Sequence, residues 1–334
     1  MRRLVGELLS SGWRMSKVAV IGAGAWGTAL AIQVGRAGHR VTLVARDAAT
    51  ASSIKARRVN DRLPGYRLPD SLAIGHDVPD DAELQIWTVP TQHLRSSFLH
   101  FHPAGGSIVV CAKGLEAGTL RLPLEVVENV SPGRRLAILT GPNFAHEVAQ
   151  GLPAAAVVAS ADADLRERVL VMLGTNTFRL YGNDDPVGAQ LGGAAKNVIA
   201  IAAGAVLGAG LGENARAALI TRGLSELRRL AIAFGGRAET VMGLSGLGDL
   251  LLTCTGPSSR NFSLGYALGR GERLSTILAG RTETTEGVPT AGALVARAGN
   301  VDLPICSAVA DLLAGRMTLS QAITQLLSRP QRNE

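Results

Sequence analysis

Residues 17–38 read KVAVIGAGAWGTALAIQVGRAG. A β-branched apolar run leads into Gly22, Gly24 and Gly27 in G-x-G-x-x-G spacing, and a helical period follows. The first glycine permits a tight turn and the second lets backbone approach a pyrophosphate. The third lets helix and strand pack closely, and the helix N-terminus faces the negative charge. The spacing alone is weak evidence. A strand before it, a helix after it and a further strand beyond Gly38–His39 make it a dinucleotide-binding turn rather than a glycine-rich loop.

The second strand ends VTLVARD (41–47). A site specific for NAD places an acid at this strand end to hold the ribose 2′-hydroxyl. Ala45 falls there and Arg46 follows, a cation able to face a 2′-phosphate, so NADP(H) is favoured over NAD(H). A shift of register would bring Asp47 to the ribose and reverse that preference.

Working outward, KVAVI (17–21), RVTLVA (40–45), LQIWTV (84–89), SIVVC (107–111), LAIL (136–139) and AAAVVA (154–159) are expected to be strands. Near-continuous apolar runs mean strands covered on both faces, as in a parallel sheet. Their alternation with helical stretches gives an α/β fold, an N-terminal Rossmann-like doubly wound sheet. Past Asp185 the strand signal stops. Helical periods follow in 188–210 and 214–235, then near 262–269, 290–299 and 303–327. The expected division is a dinucleotide-binding domain over residues 15–188 and an all-helical substrate domain over 189–330. Chemistry is expected in the cleft between them.

Composition narrows the class. Of 334 residues 46% are hydrophobic and only 4% aromatic, with 40 glycines, which suits closely packed α/β layers. The formal charge of +7 is spread along the chain, without a basic run or the aromatics that stack on bases, so nucleic acid is not the expected partner. Three cysteines without metal-like or redox-like spacing fit a reducing cytoplasm. The first 14 residues lack an apolar core of signal-peptide length and read as an upstream start or a frayed tail before Met15. The most apolar window, Val198 to Leu211, is too short for a bilayer. No membrane span is expected.

The chain uses arginine for most of its positive charge and has lysine only at positions 17, 55, 113 and 196. LGGAAKNVIAIAAG (191–204) puts Lys196 and Asn197 at the expected opening of a long apolar helix. A lysine at a helix end can simply snorkel to water. Its rarity and the glycines around it point instead to a proton-exchanging group beside a small ligand, with a lowered pKa. GLSGLGDLLLTCTGPSSRN (243–261) supplies the partners. Asp249 can orient the ammonium and Thr253 adds a hydroxyl one helical turn on. Arg260 and Asn261 offer a bidentate cation and an amide suited to a phosphate.

With GAGAWGTALA (22–31), CAKGLE (111–116), TGPNFAHEVAQGLP (140–153), GGAAKNVIAIAAG (192–204), NARAALITRGLSEL (214–227) and GLGDLLLTCTGPSSRN (246–261) in order, the chain resembles bacterial NAD(P)-dependent glycerol-3-phosphate dehydrogenase. The resemblance implies reversible reduction of dihydroxyacetone phosphate to sn-glycerol 3-phosphate for phospholipid synthesis, in a cytoplasmic homodimer. It implies that Lys196 donates and accepts the proton. Lys113, Gly141, Asn143, Asp249, Ser259, Arg260 and Asn261 fall on substrate-contact positions. Ala25, Trp26, Arg46, Lys113, Ala145, Arg260, Thr284 and Glu286 fall on positions that line the dinucleotide. Three residues depart from the pattern: Ala195 for a larger apolar residue, Asn143 for a hydroxyl residue, and Thr284 for an apolar one. Asn143 is expected to donate to the phosphate instead.

Two rival functions remain open: a related reductase for ketopantoate or a β-hydroxyacid, and a non-catalytic dinucleotide sensor. Arg260–Asn261 favours a phosphate-bearing substrate over the first, and Lys196 with Asp249 favours catalysis over the second. No metal is expected: His100 and His102 lack a third ligand, and His146–Glu147 lacks the second histidine of a zinc-protease helix. No G-x-S-x-G elbow supports a serine hydrolase.

Overall fold

The computed structural model describes residues 15–281 and 284–328. Residues 1–14 lie outside them, and with them the expectation of a leader or frayed tail. Strand β1 (Lys17–Ile21) enters helix α1 (Ala25–Arg36), followed by β2 (Arg40–Val44), α2 (Ala48–Arg57), β3 (Ala73–Gly75), β4 (Leu84–Trp87) and α3 (Thr91–Phe101). Then come β5 (Ser107–Val110), α4 (Pro123–Val130), β6 (Leu136–Thr140), α5 (Ala145–Gln150), β7 (Ala154–Ala159), α6 (Ala163–Leu173) and β8 (Phe178–Asn183). The strands form one eight-stranded sheet in the order β3-β2-β1-β4-β5-β6-β7-β8. Every neighbouring pair is parallel except β6–β7, where Leu139 faces Val158 in antiparallel register.

The apolar strands are buried because both faces are covered. One core gathers Val18, Val20, Leu43, Ile86, Val109 and the helices packed on that face, and a second gathers Ile21, Trp87, Ile108, Val110 and Ile138 on the other. Trp87 stacks on Phe98 with ring centroids 3.8 Å apart. The six expected strands are all present, two with the expected bounds and four with an end shifted by one or two residues.

Two strands escape the sequence reading, β3 and β8, and both are edges of the sheet. β3 has three residues, and β8 (FRLYGN) buries only Phe178 and includes a glycine and an arginine. Neither offers a continuous apolar run, because an edge is covered less completely.

The remainder is helical: α7 (Pro186–Gly208), α8 (Gly212–Ala233), α9 (Ala238–Met242), a π-helical turn (Leu244–Gly248), α10 (Asp249–Cys254), α11 (Arg260–Gly269), α12 (Leu274–Ala279), α13 (Gly287–Ala298), α14 (Pro304–Leu313) and α15 (Leu319–Leu327). Asp185 caps α7 by accepting from Gly188 N at 2.8 Å, and Pro186 occupies the first helical position, where a missing N–H costs nothing. The single helix expected over 303–327 is two, divided at Gly315, whose φ is +70°, and at the Thr318 cap.

Helix α7 has 23 residues and an 18-residue window of mean hydropathy 1.5, long and apolar enough to cross a membrane, so the expectation of too short an apolar segment is corrected. Its apolar window is 83% buried inside the fold, which makes it a core helix. Leu191, Val198, Ile199 and Ile201 are fully buried, each worth about 1.5–3 kcal/mol relative to exposure. Glycine sets the closeness of its main contact. A Cβ on Gly265 of α11 would stand 1.9 Å from Ile201 O, and one on Gly204 of α7 would stand 2.0 Å from Phe262 O. Only glycine lets these two helices touch backbone to backbone.

Candidate active site

The dinucleotide turn has the geometry its glycines demand. Gly22 has φ +109°, a conformation open to glycine, and a Cβ on Gly27 would lie 1.9 Å from Gly22 O. Around the Cβ direction of Gly24 nothing lies within 4 Å, and Gly24 begins α1 without a side-chain cap. The turn is therefore open on the Gly24 side, beside the first turn of α1. Ala25 and Trp26 in the first turn are partly buried against the sheet core, as is Ala145 at the start of α5.

Sequence reading missed two supports of this turn. Thr88 Oγ1 lies 2.9 Å from both Ile21 O and Gly22 O, and Asn60 Nδ2 donates to Ala23 O at 3.0 Å and Thr28 Oγ1 at 2.7 Å. Neither belongs to a motif, since each reaches the turn from a remote segment.

Past β2, Arg46 is 91% exposed and its Nε lies 3.3 Å from Asp47 Oδ2. Asp47 caps α2, accepting from Thr50 N at 2.7 Å, and that hydrogen bond, ahead of Arg46, lowers its pKa.

Lys196 stands midway along α7, not at its opening, because the helix begins earlier at the Asp185 cap. It is 7% exposed, and its Nζ donates to Asp249 Oδ1 and, at 3.0 Å, to Thr253 Oγ1. The other oxygen of Asp249 accepts from Lys113 Nζ at 2.6 Å, and Lys113 Nζ also donates to Gly141 O at 3.2 Å. One buried carboxylate thus holds two ammonium groups. Burial pushes the Lys196 pKa down to about 8. The Asp249 charge opposes that shift and the Lys113 charge adds to it.

The glycines around Asp249 also find their reason. A Cβ on Gly246 would stand 2.0 Å from Val241 O, and one on Gly192 would stand 2.4 Å from Ser245 O. They let the π-helical turn press on α9 and α7, delivering Asp249 at the start of α10. Thr253 Oγ1 in turn donates to Asp249 O at 2.6 Å.

The phosphate-type residues lie at the start of α11. Ser259 caps the helix, accepting from Phe262 N at 3.2 Å, and Arg260 is exposed at the first helical position. Asn261 is buried: its Nδ2 donates to Asn197 Oδ1 at 2.9 Å, and its Oδ1 accepts from Gly287 N at 3.0 Å. Glu286 precedes α13 and accepts from the Thr91 backbone. Burial raises its pKa, opposed by Arg260 and Lys113. Thr284 is exposed and beside it Thr285 is buried. Asn143 gives one N–H of its amide to Ala155 O at 3.0 Å, and its Oδ1 is buried without a partner.

Away from these groups, a cavity of about 310 Å³ opens among Arg36, Tyr66, Pro69 and Leu72 and contains none of the lysine–carboxylate chemistry. Among the described residues no three His, Cys, Asp or Glu side chains converge as metal ligands.

A G-x-G-x-x-G turn on a parallel sheet, joined to helices that bury a lysine of lowered pKa against a carboxylate, defines a nicotinamide-dependent oxidoreductase of the Rossmann-plus-helical kind. Residues 17–166 match the family model for the N-terminus of NAD-dependent glycerol-3-phosphate dehydrogenase, and residues 185–324 match that for its C-terminus. The chain is 54% identical to glycerol-3-phosphate dehydrogenase [NAD(P)+] of Acidiphilium cryptum, over 95% of this chain and 98% of the other. It is 51% identical to that of a Bradyrhizobium species, over 94% and 97%. The crystal structure of glycerol-3-phosphate dehydrogenase from Coxiella burnetii superposes with a TM-score of 0.89 at 36% identity, covering 94% of this chain and 99% of that one. The chain belongs to the NAD-dependent glycerol-3-phosphate dehydrogenase family. A ketopantoate reductase from Ralstonia eutropha, at TM-score 0.59 and 17% identity, shares the fold alone.

Proposed function

We propose that this chain reversibly reduces dihydroxyacetone phosphate to sn-glycerol 3-phosphate with NADPH or NADH, supplying glycerophospholipid synthesis. The observation that carries the reading is Lys196, buried, held by Asp249 and Thr253, with a pKa of about 8. The Gly22–Gly27 turn would hold a reduced nicotinamide dinucleotide, which would supply hydride for the ketone carbon. Lys196 gives its proton to the ketone oxygen and takes it back in the reverse direction. A group whose pKa lies near the working pH does this well in both directions. Asp249 orients the ammonium, and Lys113 adds positive charge where the carbonyl oxygen gains negative charge. Arg260 grips the phosphate with a charge-assisted, planar fork. Asn261 positions Asn197, and Gly141 and Ser259 complete the substrate wall. Trp26, Ala145, Thr284 and Glu286 line the dinucleotide in the same reading.

NADPH is the favoured cofactor, since Asp47 is engaged as a helix cap while Arg46 stands exposed beside the strand end. The working division of the chain is residues 15–188 for the dinucleotide and 189–330 for the substrate, its border in the first turn of α7. A cytoplasmic homodimer completes the proposal on the resemblance alone. The small residues of α7 and α11 do not argue for it, because they meet one another inside the chain. Light scattering on the purified protein tests the dimer. A spectrophotometric assay with dihydroxyacetone phosphate and each reduced nicotinamide tests the reaction. Ketone-dependent oxidation is expected with both cofactors, and none with either rejects the reading.

A further inference from the structure

Two buried polar atoms on one loop have no hydrogen-bond partner: Thr140 Oγ1 at the end of β6 and Asn143 Oδ1 just beyond. Folded proteins leave few such atoms, and each calls for an explanation. Thr140 is 4% exposed, and its hydroxyl lies 3.3 Å from where a Cβ on Gly193 would stand. Lys113 Cγ lies at the same distance from that point, so the hydroxyl and the Lys113 chain both lie against the α7 turn that leads to Lys196. The intervening Gly141 gives its carbonyl to Lys113 Nζ. One N–H of the Asn143 amide goes to Ala155 O, and its Oδ1 remains a buried acceptor that needs a donor.

The balance of donors and acceptors identifies what this loop would hold. Lys196, Lys113 and Arg260 are donors, suited to a ketone oxygen and a phosphate, which only accept. The ketone proposed above carries one further group, a free hydroxymethyl, whose O–H needs an acceptor. An unpartnered carbonyl oxygen is unfavourable toward phosphate and well matched to that O–H, and a threonine hydroxyl can donate to or accept from the same group. We propose that Thr140 Oγ1 and Asn143 Oδ1 receive the free hydroxymethyl group of the substrate and select phosphorylated ketones that carry it. The assignment rests on the dihydroxyacetone phosphate reading. It gives Thr140 a role in specificity and moves Asn143 from the phosphate to the other end of the substrate.

The test compares kcat/KM for dihydroxyacetone phosphate with that for monohydroxyacetone phosphate, which has a methyl in place of the free hydroxymethyl. Wild type is expected to prefer the hydroxylated ketone by at least about tenfold, the scale of a lost hydrogen bond that leaves buried groups unpaired. The near-isosteric Thr140→Val and Asn143→Leu should each shrink that ratio by about tenfold, and Asn143→Thr should restore part of it by returning an acceptor. Melting temperatures and dinucleotide binding establish that the variants fold, and Thr140→Val carries the test if Asn143→Leu does not. Equal kcat/KM for the two phosphorylated ketones in wild type overturns the proposal and leaves the dehydrogenase reading standing. So does an equal loss on both ketones in the variants, since the loop would then act through the phosphate or the fold. No turnover of dihydroxyacetone phosphate by wild type is the separate result that removes the reading beneath it.

Discussion

Lys113 Nζ lies 2.6 Å from Asp249 Oδ2, on the carboxylate whose other oxygen holds Lys196. The two lysines therefore share one counter-charge, and the Lys113 charge helps burial keep the Lys196 pKa near 8. Reduction needs protonated Lys196, so its rate should fall as pH rises through about 8, and oxidation should rise through the same point. Removing a neighbouring cation favours the charged lysine. Lys113→Met should therefore move both inflections to higher pH. Steady-state pH profiles check this, and an unmoved or lowered inflection contradicts the shared-charge arrangement.

Arg260→Ala should raise the Michaelis constant for dihydroxyacetone phosphate far more than that for unphosphorylated dihydroxyacetone. A charge-assisted hydrogen bond contributes about 1.5–3 kcal/mol, or roughly tenfold to a hundredfold. Similar losses on both ketones would take Arg260 away from the phosphate.

Two glycine-to-alanine changes should separate binding from packing. Nothing lies within 4 Å of a Cβ on Gly24, so Gly24→Ala should fold with an unchanged melting temperature and bind dinucleotide weakly. A Cβ on Gly265 would stand 1.9 Å from Ile201 O, so Gly265→Ala must force α7 and α11 apart. That costs about 1–3 kcal/mol or more. Calorimetry with and without cofactor distinguishes them, and undiminished dinucleotide binding by Gly24→Ala would mean its open face is not where the pyrophosphate lies.

Arg46→Ala should lower kcat/KM with NADPH and leave NADH nearly unchanged. Arg46 is 91% exposed, so salt should weaken the NADPH preference of the wild type. If Asp47 holds the ribose instead, wild type prefers NADH and Asp47→Ala abolishes that preference.

The central strands were legible because both of their faces are covered and continuous apolar runs record that. β3 and β8 were not, because an edge strand need not be apolar throughout. The dinucleotide turn was legible because two demands on its glycines are local: Gly22 needs a positive φ, and Gly27 packs against Gly22 O. Thr88 and Asn60 brace it from segments far along the chain, and no spacing marks them. Lys196 and Asp249 were found through rarity and glycine context, although Lys196 was placed at the opening of its helix. The small residues from Pro186 onward belong to α7 itself, and its length depends on the Asp185 cap. Residue type gives Asn143 both donors and an acceptor, and only the fold shows that one N–H goes to Ala155 O while Oδ1 stays unpartnered.

The central claim is that Lys196 carries the proton, and one paired measurement tests it most directly. Wild type and Lys196→Met are compared for dihydroxyacetone phosphate-dependent oxidation of NADPH, with cofactor binding followed by fluorescence in the same samples. The account predicts that Lys196→Met loses most turnover and binds NADPH as wild type does, because the Gly22–Gly27 turn lies on the sheet and not on α7. Near-normal turnover in a folded, cofactor-binding Lys196→Met enzyme would contradict it.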